Sequence, residues 1–445
     1  VCRRNYETFS RCPRNIISGL AAFASQVQIV EAALAQEHRP MLIANPRATR
    51  SPYPETLRAI LNVPSGDESR AWLSHWALIS AAPTPLRELP HAAAQLGLAR
   101  LAVKDESLRS PLGSFKALGA PIALMRLIVR LWPAHEIDPK ALIEGRHRER
   151  VSNLTVISAT DGNHGKALAA AAQSIGCQCV IVLHANVSAE REQAIAAYGA
   201  RIVRIAGNYD ESVEQAAQLA KTNGWHVVSD TSYEGYEAIP RDVMQGYGTI
   251  AAEIVEQSRA PAFTHVFLQG GVGGLAAGVA SYLWERHGAN RPRFIVVEPR
   301  QADCLYQSAI AGRAAQATGS VDSVMAGLAC GETSPLAWKI LEACVDDFML
   351  IEDEDAVAAM RALAAGAGGD VPIVSGESGA AGLAGLAKLM RDPALAQAAR
   401  LDAQSRVLLI STEGATAPGV YARLVGASAE TVAARRDEWT AQLAH

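Results

Sequence analysis

Leu154-Thr155-Val156-Ile157-Ser158 is followed by Thr160-Asp161-Gly162-Asn163-His164-Gly165, an alanine-rich run to Gly176, and then Cys179-Val180-Ile181-Val182-Leu183. The first and last segments are short, apolar and rich in β-branched residues. Bounded as they are by turn signals, they read as buried strands. The middle reads as a turn opening a helix over Asn163–Gly176, starting just after Gly162. Strand, helix and strand in this order make a βαβ unit, which brings its two strands side by side in parallel.

The alternation continues downstream. Ser188–Gly199 reads as a helix with Ser188 as its N-cap, and Arg201–Ile205 as a strand. Asp210–Asn223 is helical and Trp225–Val228 extended; Thr264–Leu268, Arg293–Val297 and Val407–Ile410 are strands between helices. There is no internal repeat and no low-complexity linker. The expected architecture is α/β, with two parallel-sheet domains and helices on both faces. A large discontinuous domain is expected over 41–112 plus 250–445, and a small one over 113–249. Ligands in such folds sit off the carboxyl ends of strands, where the glycine-rich turns lie.

The bulk numbers agree. A chain of 445 residues is long enough for two domains sharing an interface. It is 49% hydrophobic but only 5% aromatic, which suits an alanine- and glycine-rich core. A net charge of −4 and a pI near 6.3 give no basic footprint for nucleic acid. The most apolar run, 117–132, is interrupted by Arg126 and Arg130, so no membrane span is expected. The seven cysteines fit neither zinc spacing nor a disulfide framework, and a reducing, cytoplasmic setting is the default. Residues 1–40 form an N-terminal extension, basic at its start and apolar over 16–35. A targeting peptide and an amphipathic helix both fit that pattern.

Four motifs fall in an informative order. Ser114-Phe115-Lys116-Ala117-Leu118-Gly119 comes first, then the Asn163 turn, then Gly270-Gly271-Val272-Gly273-Gly274, then Ser411-Thr412. Together they look like a site for pyridoxal phosphate. Lys116 would hold the aldehyde, a task that needs a partly desolvated amine. Phe115 precedes it at the same site. The glycine loop lies between a strand and a helix, where backbone N–H groups and the helix dipole bind phosphate. It could equally be a dinucleotide turn, but no matching Gly-x-Gly-x-x-Gly with an acidic ribose partner follows. The Asn163 amide would donate to the phenolate oxygen of the ring, and Ser411, with Thr412 as the alternative, would meet the pyridine nitrogen. Asp161 and Asp230 are two acids for work at Cα and Cβ of an amino acid, although capping a helix or loop would also suit each of them. No metal site is expected.

These residues, with Val103–Ser107, Asp230–Tyr236, Met325–Glu332 and Ser375–Ala380, resemble the diaminopropionate ammonia-lyases from about Leu42 to Tyr421. These are fold-type II, tryptophan synthase β-like enzymes. The resemblance implies that Lys116 is the Schiff-base lysine and that Asp161 and Asp230 are the two active-site aspartates. It implies α,β-elimination of 2,3-diaminopropionate, D and L, to pyruvate and two ammonia, in a homodimer. Cys304 and Cys330 match a pair that forms a disulfide in a relative. The chain departs from the family in reading Pro111-Leu-Gly-Ser before Phe115, and Ala415-Thr416-Ala417 where a relative is rich in Asp. The rival activity on the same fold is dehydration of serine, threonine or an aryl-serine. It would use the same cofactor residues and a different leaving group.

Overall fold

The structure is a computed structural model that describes residues 39–133, 137–160, 162–185, 187–207, 209–258 and 262–443. Asp161, and nearly all of the N-terminal extension, lie outside the described residues.

Eleven strands are described: β1 (Leu42–Ala44), β2 (Leu86–Glu88), β3 (Arg100–Asp105), β4 (Thr155–Ala159), β5 (Gln178–Leu183), β6 (Arg201–Arg204), β7 (His226–Val227), β8 (His265–Gln269), β9 (Arg293–Pro299), β10 (Asp347–Ile351) and β11 (Arg406–Ser411). They form two sheets. One has the order β6-β5-β4-β7 and is wholly parallel, with Val156 opposite both Cys179 and His226. The other has the order β1-β10-β9-β8-β11-β3-β2. Its interior is parallel, while β1 and β2 pair antiparallel on the two edges. The smaller sheet draws its strands from 155–227 and the larger from 42–105 and 265–411.

The edge strands differ from a purely parallel expectation for a simple reason. Each is three residues long and one-sided, so a strand of either direction caps the sheet there. The parallel strands inside are buried along most of their length, as a sheet covered on both faces requires.

The lysine motif opens the helix Lys116–Leu131, which is buried from Ala117 through Met125. It packs tightly against the long helix Ala238–Gln257, and glycine on both sides makes the approach possible. A Cβ on Gly246 would lie 2.1 Å from the Leu118 carbonyl oxygen, and one on Gly119 would lie 2.6 Å from the Tyr247 ring. The start of the lysine helix is thus held against a rigid partner, which fixes where Lys116 projects. Among the described residues, no helix is long and apolar enough to cross a membrane.

Candidate active site

A cleft of about 480 Å³ lies at the carboxyl ends of β4, β7, β8 and β11. Its walls come from both sheets.

Lys116 lies within this cleft. Its backbone is placed by a short antiparallel contact between the segment before it and the loop after β11. Ser114 bridges Glu413, Phe115 N–H donates to the Thr412 carbonyl at 3.0 Å, and Gly414 N–H to the Gly113 carbonyl at 2.9 Å. The Lys116 ammonium then donates to Asp230 Oδ2 at 2.5 Å. It lies 5.2 Å from the centre of the Phe115 ring and 5.9 Å from that of Tyr247. Burial alone would lower the pKa of this amine, but the Asp230 carboxylate outweighs it and holds the value above the ordinary lysine range. Burial likewise works against ionised Asp230, and the Lys116 and His164 charges reverse that, leaving the carboxyl well below its usual range.

Asp230 follows β7 in a braced loop. Tyr236 stacks on Tyr233 with ring centres 4.8 Å apart, accepts from Ser229 N–H at 3.0 Å and donates to the Val227 carbonyl at 3.0 Å. His164 bonds the Val228 carbonyl through Nε2 at 2.9 Å. Its Nδ1 is buried without a hydrogen-bond partner among the described residues, 3.8 Å from Asp230. Burial lowers its pKa against the pull of the Asp230 carboxylate, and the ring donates from Nε2 to the Val228 carbonyl.

At the turn after β4, Thr160 Oγ1 accepts from Gly162 and Gly165 N–H at 3.3 and 3.4 Å, which shapes the start of helix Asn163–Ile175. Asn163 lines the cleft and its amide donates to Glu413 Oε2 at 2.5 Å. Lys166, on the same helix face, also lines the cleft and donates to the Leu112 carbonyl at 3.2 Å.

The glycine loop forms another wall. Gly270, Gly271, Val272 and Gly274 line the cleft, while Gly273 is the left-handed cap (φ +98°) of helix Gly274–His287. A Cβ on Gly273 would meet Leu341 at 2.9 Å, so this residue fits the core and not the cleft. Beneath the loop lies the fully buried Glu298, which accepts from Leu305 and Tyr306 N–H at 3.0 and 2.7 Å. Burial pushes its pKa up to about 8. It packs so closely that a Cβ on Gly270 would lie 2.5 Å from its Cγ.

The late hydroxyls separate. Thr412 lines the cleft, whereas buried Ser411 donates to Ser375 Oγ at 2.8 Å. Cys304 is a free thiol, as are Cys177, Cys179 and Cys344.

Sequence reasoning missed Glu413 and Lys166 as cleft residues. Lys166 carried a usable signal, since it lies three positions after Asn163 on one helix face. Glu413 carried a weaker one, directly after the Ser411-Thr412 pair at a strand's carboxyl end.

The residues present fit pyridoxal phosphate. The cleft holds a desolvated lysine beside an acid, an aromatic ring next to it, and a side-chain-free loop at a helix N-terminus. Such a site on such a fold defines a pyridoxal-phosphate-dependent enzyme, and the model of the family described as pyridoxal-phosphate dependent enzyme matches residues 78–413. The chain is 39% identical over 378 residues to the diaminopropionate ammonia-lyase of Salmonella typhimurium, covering 82% of this chain and 93% of that one. The Escherichia coli counterpart is also 39% identical, over 81% of this chain and 91% of its own. The crystal structure of the holo Escherichia coli enzyme superposes with a TM-score of 0.79 at 37% identity, covering 86% of this chain and 96% of that one. The chain belongs to the diaminopropionate ammonia-lyase family of fold-type II pyridoxal-phosphate-dependent enzymes.

Proposed function

We propose that the chain eliminates ammonia from 2,3-diaminopropionate of either hand, giving pyruvate and a second ammonia with uptake of one water. The observation that carries this reading is the 39% identity to diaminopropionate ammonia-lyases over more than four fifths of the chain. A crystal structure of the Escherichia coli relative holds an aminoacrylate–pyridoxal-phosphate intermediate, the species expected after loss of the β-amine.

Pyridoxal phosphate supplies an aldehyde that takes up an amine and a ring that withdraws electrons from Cα. In our reading Lys116 Nζ holds that aldehyde until the substrate amine displaces it. The freed Lys116 amine then takes the Cα proton of the L-isomer. Asp161 takes that of the D-isomer from the opposite face. Loss of the proton leaves its electron pair to form the Cα–Cβ double bond as the Cβ–N bond breaks, and the β-nitrogen departs as ammonia. Asp230, 2.5 Å from Lys116 Nζ, relays a proton to that leaving nitrogen. The released aminoacrylate takes up water to become pyruvate and ammonia.

For the cofactor we assign the phosphate to the loop Gly270–Gly274 and one ring face to Phe115. Asn163 meets the phenolate oxygen. The pyridine nitrogen goes to the Ser411-Thr412 step, where Thr412 is the residue lining the cleft. A homodimer, on the family resemblance, and a cytoplasmic setting, on the cysteine usage, complete the proposal.

The test is stoichiometry. Diaminopropionate should yield two ammonia per pyruvate, whereas a hydroxyamino acid yields one per 2-oxo acid, pyruvate from serine and 2-oxobutyrate from threonine. Turnover confined to serine or threonine would refute the reading.

A further inference from the structure

Glu413 is a buried carboxylate, 5% exposed, whose hydrogen-bond partners among the described residues include no cation. Burying such a charge is costly unless donors surround it. The donors here are the Asn163 amide at 2.5 Å, Ser378 N–H at 3.2 Å and the Thr416 hydroxyl at 3.4 Å. They come from different parts of the fold. Asn163 opens the helix that follows β4 of the smaller sheet, whereas Glu413 follows β11 of the larger one. The backbone of Glu413 also bridges Ser114, two residues before Lys116. Glu413 therefore ties the asparagine turn, held by its side chain, to the segment just before Lys116, held by its backbone.

The chemistry of the amide makes this informative. An asparagine nitrogen has two protons in one plane. Bonding one of them to Glu413 fixes that plane and leaves the second N–H at a set angle. A bond to a charged acceptor is also stronger than a neutral one, so the setting is firm.

We propose that Glu413 is a positioning residue that orients the Asn163 amide, so that its second N–H meets the phenolate oxygen of bound pyridoxal phosphate. The inference rests on the role given to Asn163 above. Glu413 itself touches neither substrate nor cofactor in this account.

The test compares variants of the full chain by the Kd for pyridoxal phosphate and by the absorption of the lysine-bound cofactor across pH. Asn163→Ala and Glu413→Ala should each weaken binding by at least about tenfold and shift that titration alike. The double variant should be no worse than Asn163→Ala. The pair Asn163→Asp with Glu413→Gln restores the hydrogen bond with its donor reversed. It should therefore recover Tm but not cofactor affinity, and it decides the matter should Glu413→Ala fail to fold. Recovery of both would show a merely structural role and overturn the proposal. Parental binding and spectrum in Glu413→Ala, with both altered in Asn163→Ala, would overturn it while sparing the Asn163 reading. Parental behaviour of Asn163→Ala would remove that reading and the proposal with it.

Discussion

Lys104 sits on β3 behind the cleft, and Lys116 sits in it. Each meets a carboxylate, Glu253 at 2.6 Å for Lys104 and Asp230 at 2.5 Å for Lys116. Lys104 is fully buried and makes two further bonds, to the Thr84 carbonyl at 2.7 Å and to Gln257 at 2.8 Å. Its acid is shared with Arg109, which also pairs with Glu106. The Lys116 side chain is 19% exposed and faces a cleft. Burial leaves the Lys104 amine below the ordinary lysine value even among these acids, while Asp230 lifts Lys116 above it. The contrast teaches that a buried lysine is recognised by what remains unfilled around it. A closed network marks a structural cation, and one acid plus open space marks a reactive amine.

The largest effect should come from Lys116→Ala. Turnover should fall by at least about 1000-fold, as when one member of a catalytic unit is lost. Borohydride reduction should leave no cofactor on any lysine, which mass spectrometry reads. An unchanged adduct would show that some other lysine carries the group.

Asp161→Asn tests the base proposed for the D-isomer. We expect it to keep bound cofactor and L-isomer turnover, and to lose about 30-fold or more on D-diaminopropionate, the scale set by loss of a buried charged contact. Equal D-isomer turnover in variant and parent would remove the acid from the chemistry.

Lys104→Met should do the reverse of Lys116→Ala. It leaves Glu253 short of one cation and should cost about 3 kcal/mol of stability in denaturant unfolding, with a reducible cofactor adduct still formed. Loss of the adduct with stability intact would mean that the two lysines had been assigned the wrong way round.

The smallest effect sharpens the comparison with an acid whose hydrogen-bond partners among the described residues include no cation. Glu298 has its pKa raised by burial to about 8, so above pH 4.5 the folded chain keeps a proton that the unfolded chain releases. Stability therefore falls as pH rises between those values. Glu298→Gln should flatten that part of the Tm profile, at a pH-independent cost, because its amide nitrogen cannot accept the backbone N–H that one Glu298 oxygen takes. Parallel Tm profiles for parent and variant would contradict the assignment.

Much of this was legible before any coordinates. The strands around the asparagine turn and the glycine loop appear within a residue or two of their expected places, because β-branched runs between helices leave little choice of fold. The four strands without an expectation have physical reasons for hiding. β1 and β2 are three-residue edges, β3 carries the charges Lys104 and Asp105, and β10 begins on Asp347. Charges in a strand suggest an exposed face, yet these are buried and paired. In the cleft, the order of motifs pointed to Lys116, Asn163 and the glycines. It gave no sign that Gly273 faces the core, nor that Asn163 meets Glu413, 250 positions away. Contacts of that range leave no periodicity for a sequence to display.

The most direct test is 2-oxo acid release by the cofactor-saturated protein, read as pyruvate from D- and L-diaminopropionate and D- and L-serine and as 2-oxobutyrate from L-threonine. The account predicts strong preference for both diaminopropionate isomers. Preference for a hydroxyamino acid would leave the fold and the cofactor standing and contradict the ammonia-lyase assignment.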